Sequence, residues 1–212
     1  MIFRPLLALL PILLAAAGQD KIRVACVGDS ITFGACVPDR EKNCYPAVLG
    51  RLLGEKYDVR NFGVNGATLL KKGDLPWWKQ QAFDDAGAFN PAIVVIKLGS
   101  NDTKPQNWKN RAEFEGDYRA LIQHFRGLPA KPKIYVALPV PVLKPNFGIN
   151  KEAAQEEQPI ILKVAKEEGC PVIDLYRAVA TKDLFDGDGI HPNAAGARKI
   201  AETVAAALRE KK

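Results

Sequence analysis

The chain has 212 residues, of which 47% are hydrophobic and 25% are charged. This balance is typical of a globular protein and excludes an intrinsically disordered chain. The formal net charge is +6, and no block of Lys and Arg is interleaved with aromatic residues. The composition therefore predicts no nucleic-acid partner.

The first 17 residues have the features of a signal peptide. Arg4 supplies a positive start, an apolar run "PLLALLPILLAAA" follows, and Ala15–Ala17 offers a small-residue cleavage site. The run is shorter than a membrane span and is interrupted by prolines. An uncleaved anchor is the alternative interpretation. We expect residues 1–17 to be removed and the protein to be exported, periplasmic or secreted, without stable membrane insertion after signal cleavage.

Short apolar runs typical of β-strands alternate with amphipathic stretches typical of helices. This order predicts one α/β domain over residues 18–212, with a parallel sheet covered by helices on both faces. The strands are predicted at 21–27, 57–64, 92–98, 133–138 and 171–175, and the helices at 46–56, 79–89, 112–128, 150–168 and 194–210.

The four cysteines are interpreted against the oxidising environment of an exported protein. Cys36 and Cys44 flank a polar loop and are candidates to close it as a short disulfide, but four cysteines allow three full pairings and the sequence does not decide whether this one forms. Cys26 and Cys170 lie in or beside apolar runs and are predicted to be buried free thiols. The chain has no CxxC motif and only two histidines, so no metal site is predicted.

Polar segments follow four of the five predicted strands. These segments are Ser30, "VNGAT" at 64–68, "GSND" at 99–102 and "DGDGIHP" at 186–192. In open α/β sheets, ligands bind beyond the carboxyl ends of the strands. The sequence therefore predicts that these segments meet at one edge of the sheet.

Ser30 is a candidate nucleophile, although a serine between a strand and a helix is also a common N-cap. A nucleophilic serine needs a base and an acid that orients the base. His191, in a glycine-rich loop before the last helix, is the candidate base, whereas His124 lies in an amphipathic helix. Asp188 is three residues before His191 and is the candidate acid, and Asp186 is its competitor.

Three groups are candidates to stabilise a tetrahedral oxyanion. Ser30 opens a helix, so its own backbone N–H is expected to face the site. The backbone N–H of Gly66 and the side-chain amide of Asn101 follow the second and third strands. The alternatives are that Gly66 is only a turn glycine and that Asn101 forms an Asx-turn with Asp102.

Four blocks together resemble the SGNH, or GDSL-type, hydrolases: "GDSIT", "NFGVNGAT", "LGSND" and "DGIHPN". The resemblance implies a flavodoxin-like three-layer α/β/α sandwich with a five-stranded parallel sheet of order 2-1-3-4-5. It also implies that Ser30 is the nucleophile, that Asp188 and His191 are the acid–base pair, and that Gly66 and Asn101 are oxyanion donors with Ser30. The mechanism that the resemblance implies is acyl transfer through an acyl-enzyme, with no cofactor. No GxSxG elbow is present, which argues against an α/β-hydrolase fold.

The segment "SNDTKPQNWKN" resembles secreted bacterial members of this group described as sialate O-acetylesterases or carbohydrate deacetylases. We therefore expect Asp29, Lys104, Asn107 and Trp108 to bind substrate. Trp108 either stacks on a sugar face or packs beneath its loop.

These expectations lead to a serine esterase that hydrolyses O-acyl esters, in particular O-acetyl esters, on a small-molecule or glycan substrate. The alternative enzyme is a lysophospholipase or thioesterase that acts on lipids. A further alternative is a carbohydrate-binding protein without catalysis.

Overall fold

The computed structural model describes residues 20–210, so the predicted signal peptide lies outside the described residues and stays a prediction. Five parallel strands form one sheet of order β2-β1-β3-β4-β5, which confirms the predicted fold class and strand order. The strands are β1 Ile22–Gly28, β2 Tyr57–Gly63, β3 Ile93–Lys97, β4 Lys133–Ala137 and β5 Val172–Ile173.

Helices connect the strands and cover both faces of the sheet. Within residues 20–210, no helix is long and apolar enough to cross a membrane. The α-helices are α1 Ser30–Phe33, α2 Arg40–Asn43, α3 Tyr45–Leu53, α4 Gln81–Phe89, α5 Pro105–Trp108, α6 Phe114–Arg126, α7 Lys151–Glu167, α8 Leu175–Ala178 and α9 Ala194–Arg209. Short 3-10 helices lie at Trp77–Lys79, Ser100–Thr103, Arg111–Glu113 and Lys182–Leu184.

Alternating side chains of the central strands enter two separate cores. In β3, Val94 and Ile96 pack with residues of α4, α6 and α7. Val95, which points to the other face, packs with residues of α3 and α9. Since both faces of a central strand are buried, the strand is a continuous apolar run, and this made it recognisable in the sequence.

The long helices and strands lie where the sequence predicts them. The short elements cannot be recognised from the hydrophobic pattern of the sequence. The predicted fifth strand at 171–175 pairs with β4 only through Val172 and Ile173. Helices α2, α5 and α8 have four residues each and were not predicted. Helix α1, which begins at Ser30 as expected, also has only four residues. A helix of about one turn is too short to show a 3.6-residue hydrophobic period.

Two glycines bring helix α1 close to the carboxyl edge of the sheet. A Cβ atom on Gly63, at the end of β2, would collide with the backbone of Phe33 in α1. A Cβ atom on Gly28, at the end of β1, would lie 2.6 Å from the carbonyl oxygen of Lys97. The segment that carries Ser30 can therefore lie directly against the strand ends only because these positions lack side chains.

A carboxylic acid is buried just behind the same edge of the sheet. Glu157 of α7 is 0% exposed, and neither of its carboxyl oxygens has a hydrogen-bond partner within residues 20–210. It contacts Gly99 so closely that a Cβ atom there would collide with it. Burial raises the pKa of Glu157 well above its usual range, the charge of Asp102 adds to this effect, and Lys97 opposes it.

We expect the variant Glu157→Gln to gain stability relative to the wild type as the pH rises. The raised pKa means that the folded protein keeps a proton which the unfolded chain releases above about pH 4.3. Folding of the wild type is therefore disfavoured increasingly with pH, by up to about 1.4 kcal/mol per pH unit until the folded-state pKa is reached.

Urea denaturation of both proteins at several pH values between 5 and 8 measures this difference. The slope against pH is the test, because a packing change caused by the amide gives only a constant offset. Glu152→Gln, which changes an exposed glutamate of the same helix, is the matched control. A stability difference between Glu157→Gln and wild type that does not change with pH would contradict the prediction.

Candidate active site

Ser30, His191 and Asp188 form a continuous hydrogen-bonded relay at the carboxyl edge of the sheet. The Oγ atom of Ser30 is 2.9 Å from Nε2 of His191. The other ring nitrogen of His191, Nδ1, is 2.6 Å from Oδ2 of Asp188. This arrangement allows the imidazole to take a proton from the serine hydroxyl while the carboxylate stabilises the imidazolium that results.

Asp188 is held in place by its own loop. Its Oδ1 atom accepts hydrogen bonds from the backbone N–H groups of Ile190, at 2.7 Å, and His191, at 2.8 Å. Burial opposes ionisation, but the hydrogen bonds from the backbone and imidazole of His191 outweigh it and lower the pKa of Asp188. The carboxylate is therefore charged and oriented toward the imidazole.

The other two candidates for these roles lie elsewhere. Asp186 is exposed, and the bond that it forms with His191 joins its backbone N–H to the histidine carbonyl oxygen. His124 stacks on Phe83, with ring centroids 4.3 Å apart, at a contact between α6 and α4. Burial lowers the pKa of His124. The structure thus joins Asp188, not Asp186, to the imidazole of His191.

Asp29 is a buried support for the Ser30 turn and does not reach the cavity. Its side chain caps α1 by accepting a hydrogen bond from the backbone N–H of Ile31 at 2.9 Å. Its carboxylate is also 2.9 Å from Nζ of Lys97, and both side chains are 0% exposed. The expectation that Asp29 binds substrate is therefore wrong, because its oxygens are occupied and closed off from solvent.

Lys97, which the sequence analysis did not identify, connects two parts of the site. Besides Asp29, its ammonium donates to Oγ of Ser100 at 2.8 Å. Ser100 begins the 3-10 helix that carries Asn101, so one ammonium links the Ser30 turn to the segment of the amide donor. A lysine at the end of an apolar strand, one strand away from a "GDS" segment, is the signal that was available in the sequence.

The predicted oxyanion donors line the same cavity as Ser30 and His191. This cavity has a volume of about 200 Å³ and includes Gly66 and Asn101 in its walls. Gly66 has a positive φ of 79°, which favours glycine. One amide hydrogen of Asn101 is directed to the carbonyl oxygen of Ala67, at 3.1 Å, and this leaves the second hydrogen of Nδ2 for another acceptor.

Asp102 joins the two loops that carry these donors. Its carboxyl group accepts hydrogen bonds from the backbone N–H groups of Leu69, at 2.9 Å, and Leu70, at 2.7 Å. Burial raises the pKa of Asp102 to about 7, even though these hydrogen bonds favour its charged form. The loop after β2 is thereby fixed to the loop after β3.

Two of the predicted substrate-binding residues instead contact other groups of the protein and help to hold the loops of the site. Asn107 is 1% exposed, and its amide donates to the carbonyl oxygen of Asn101 at 2.8 Å. Trp108 is 7% exposed, packs edge-on against Phe114, and donates to Glu156. The expectation that Asn107 binds substrate is therefore wrong. For Trp108, the structure shows the second of the two alternatives, in which the ring packs beneath its loop. Lys104 does line the cavity.

Phe147 is an aromatic side chain at the cavity that the sequence analysis missed. It is 58% exposed and its ring centroid is 5.6 Å from that of His191. Its φ of 53° places it in the left-handed region, which is uncommon for a residue with a bulky side chain. The loop after β4 thus presents an aromatic ring to solvent beside the relay.

The candidate disulfide between Cys36 and Cys44 does not form, since both residues are free thiols. Cys44 is buried, with its sulfur 3.5 Å from the side-chain amide of Asn61. Cys36 is exposed, and its sulfur is 3.8 Å from Oδ2 of Asp188. The two sulfur atoms therefore face different surroundings. Cys26 and Cys170 are buried free thiols, as predicted.

Comparison with known proteins identifies relatives over most of the chain. An acetylxylan esterase from Xylanibacter ruminicola is 43% identical over 92% of this chain, and the match covers 44% of that protein. A multidomain esterase from Ruminococcus flavefaciens is 24% identical over 91% of this chain, which corresponds to 29% of its own length. The chain thus spans less than half the length of these two relatives.

Solved structures share the fold. A carbohydrate acetylesterase from Sinorhizobium meliloti superimposes with a TM-score of 0.74 at 21% identity, covering 89% of this chain and 98% of the other. An aryl esterase from M. smegmatis gives a TM-score of 0.72 at 22% identity, covering 88% and 98% of the two chains.

The sequence profile of the GDSL-like lipase/acylhydrolase family matches residues 26–199, a range that includes every residue of the relay. The chain belongs to the GDSL-like lipase/acylhydrolase family.

Proposed function

We propose that this protein is a serine esterase that removes O-acetyl groups from carbohydrates. The observation that carries the proposal is the Ser30–His191–Asp188 relay, which opens into a small cavity lined by two further polar donors. The 43% identity to an acetylxylan esterase supports an acetylated plant polysaccharide, such as xylan, as the substrate class.

The proposed reaction begins when His191 accepts the hydroxyl proton of Ser30. The serine oxygen attacks the ester carbonyl, and the oxyanion receives hydrogen bonds from the backbone N–H of Ser30, the backbone N–H of Gly66 and the amide of Asn101. His191 then returns the proton to the departing sugar hydroxyl. Water, activated by the same imidazole, releases the acetyl group from Ser30 as acetate.

The size of the cavity supports a short acyl group. At about 200 Å³ it lies below the range of about 300–1,000 Å³ that is usual for pockets of larger ligands. Its apolar lining comes from Ala35, Phe147 and Ile149, and this lining is too small to cover a long acyl chain. These features favour an acetyl ester over the lipid esters of the alternative hypothesis.

Initial rates on p-nitrophenyl esters from acetate to palmitate, together with acetate release from acetylated xylan, test the proposal. We expect the acetate ester to be hydrolysed fastest, acetate to be released from xylan, and both activities to be lost in Ser30→Ala. A rate that is highest with octanoate or a longer ester would indicate a lipid esterase. Binding of xylan without turnover of any ester would indicate a carbohydrate-binding protein.

Replacement of Asp188 by Asn separates the proposed acid from its neighbour. The amide cannot stabilise the imidazolium and favours the wrong tautomer of His191, so we expect kcat on p-nitrophenyl acetate to fall by about 10⁴-fold. The matched variant Asp186→Asn removes an exposed carboxylate two residues away. It is expected to keep a kcat close to that of the wild type, and equal losses in the two variants would contradict the assignment.

Phe147 is proposed to support the sugar that carries the acetyl group. Its exposed ring, beside His191, offers a flat apolar surface for the face of a sugar ring. For Phe147→Ala we expect KM on acetylated xylo-oligosaccharides to rise about tenfold, equivalent to about 1.4 kcal/mol, with little change in kcat.

Ethyl acetate has no sugar and is the comparison substrate for this variant. Its KM is expected to be unchanged in Phe147→Ala, and Leu162→Ala, which removes an exposed apolar side chain from α7, is the control. If the KM values for both substrates change equally, Phe147 acts by packing against His191 and does not contact the sugar.

A further inference from the structure

Cys36, Asp188 and His191 place three metal-ligating groups of different chemistry together. One ligand atom from each lies within 4.8 Å of the other two. Cys36 is the exposed member of the four cysteines. It follows α1, has a φ of 63°, and its thiol faces the loop that carries Asp188 and His191. Cys36 and Asp188 are 152 positions apart in the chain, so no sequence motif marks this cluster.

The distance between the sulfur and the carboxylate matches the spacing of two ligands on one tetrahedral zinc ion. Zinc–sulfur and zinc–oxygen bonds of about 2.3 and 2.1 Å at a tetrahedral angle place the two ligand atoms about 3.6 Å apart. The observed distance from Sγ of Cys36 to Oδ2 of Asp188 is 3.8 Å. These two ligands therefore need almost no movement to hold the ion.

The third ligand atom, Nδ1 of His191, is closer to Asp188 than a shared metal allows. It is 2.6 Å from Oδ2 because a proton, not a metal, lies between them. Two ligands on one zinc ion stand more than about 3 Å apart, so the imidazole must move away from the carboxylate by less than about 1 Å. Binding of the ion and the hydrogen bond of the relay are therefore mutually exclusive.

The electrostatic surroundings of Cys36 favour a cation. The Asp188 carboxylate lies 3.8 Å from the Cys36 sulfur, and the negative charges of Asp188 and Asp186 both act on this thiol. Both carboxylates disfavour a thiolate alone, but a divalent cation that binds the thiolate and Asp188 together removes this repulsion. The exposed Asp186 adds attraction without being a ligand.

We propose that Cys36, Asp188 and His191 form an inhibitory binding site for a thiophilic divalent cation, with Zn²⁺ as the ion best matched to these ligands. On binding, the Cys36 thiol releases its proton to solvent and its sulfur bonds to the ion. The proton on Nδ1 of His191 moves to Nε2, and the freed Nδ1 lone pair bonds to the ion. A protonated Nε2 cannot accept the proton of Ser30, so the nucleophile is no longer activated. A water molecule completes a four-coordinate site, as in zinc sites with three protein ligands.

Cobalt(II) tests the site without reference to catalysis. A cobalt–thiolate bond gives a charge-transfer absorption in the near ultraviolet, so we expect this band when Co²⁺ is added to the wild-type protein. The band is expected to be lost in Cys36→Ala and to remain in Cys170→Ala, the matched control that removes a buried thiol. Absence of the band from the wild type, or its persistence in Cys36→Ala, would overturn the proposal.

Inhibition by Zn²⁺ tests whether the bound ion blocks the activation of Ser30, and this test rests on the proposed esterase activity. With each protein normalised to its own rate without metal, we expect Zn²⁺ to inhibit the wild type and EDTA to restore it. The half-inhibitory concentration is expected to rise about 100-fold in Cys36→Ala, since even outer-shell groups change metal affinity by about 10–100-fold. Equal inhibition of the two proteins would refute the site, whereas a cobalt band in a protein without esterase activity would refute only the proposed function.

Discussion

The ammonium of Lys97, buried between Asp29 and Ser100, fixes the relative positions of the nucleophile turn and the segment of the amide donor. Asp29 in turn caps the helix that begins with Ser30. Loss of either charge would leave the other uncompensated in the interior, at a cost of about 3–5 kcal/mol. The geometry that the proposed esterase reaction needs is thus tied to the stability of the fold, because the same ion pair serves both.

This ion pair belongs to a wider group of buried ionisable side chains behind the carboxyl edge of the sheet. Asp102 holds the loop of Gly66, and Glu157 packs against Gly99 without a hydrogen-bond partner among the described residues. Buried carboxyl groups weaken a fold unless they are paired. Their concentration here therefore lowers the stability of the fold, while it holds the polar donors of the site in a defined arrangement.

The sequence predicted the sheet and the residues of the relay, and the family resemblance implied the strand order. Of the predicted substrate-binding residues, however, Lys104 lines the cavity and the other three do not. The strands were recognisable because burial on both faces makes them apolar, and the short blocks around Ser30 and His191 identify the family. Exposure depends on how loops pack, which is why Trp108 proved to be buried while Phe147, with no motif around it, faces solvent. The thiol of Cys36 likewise meets its neighbours only through the tertiary fold.

The hydrogen bond between Ser30 and His191 spans 161 residues of the chain. The nucleophile and the proposed oxyanion donors follow β1, β2 and β3. The base lies on a loop after β5, which has two residues and is the shortest of the five strands. Bringing such distant segments together costs conformational entropy, which the packing of the intervening elements must outweigh. A chain that ends before Asp188 contains Ser30 and the proposed oxyanion donors but lacks both the base and the acid of the relay. The relay therefore depends on both ends of the described chain, and a truncation that spares the nucleophile turn still removes it.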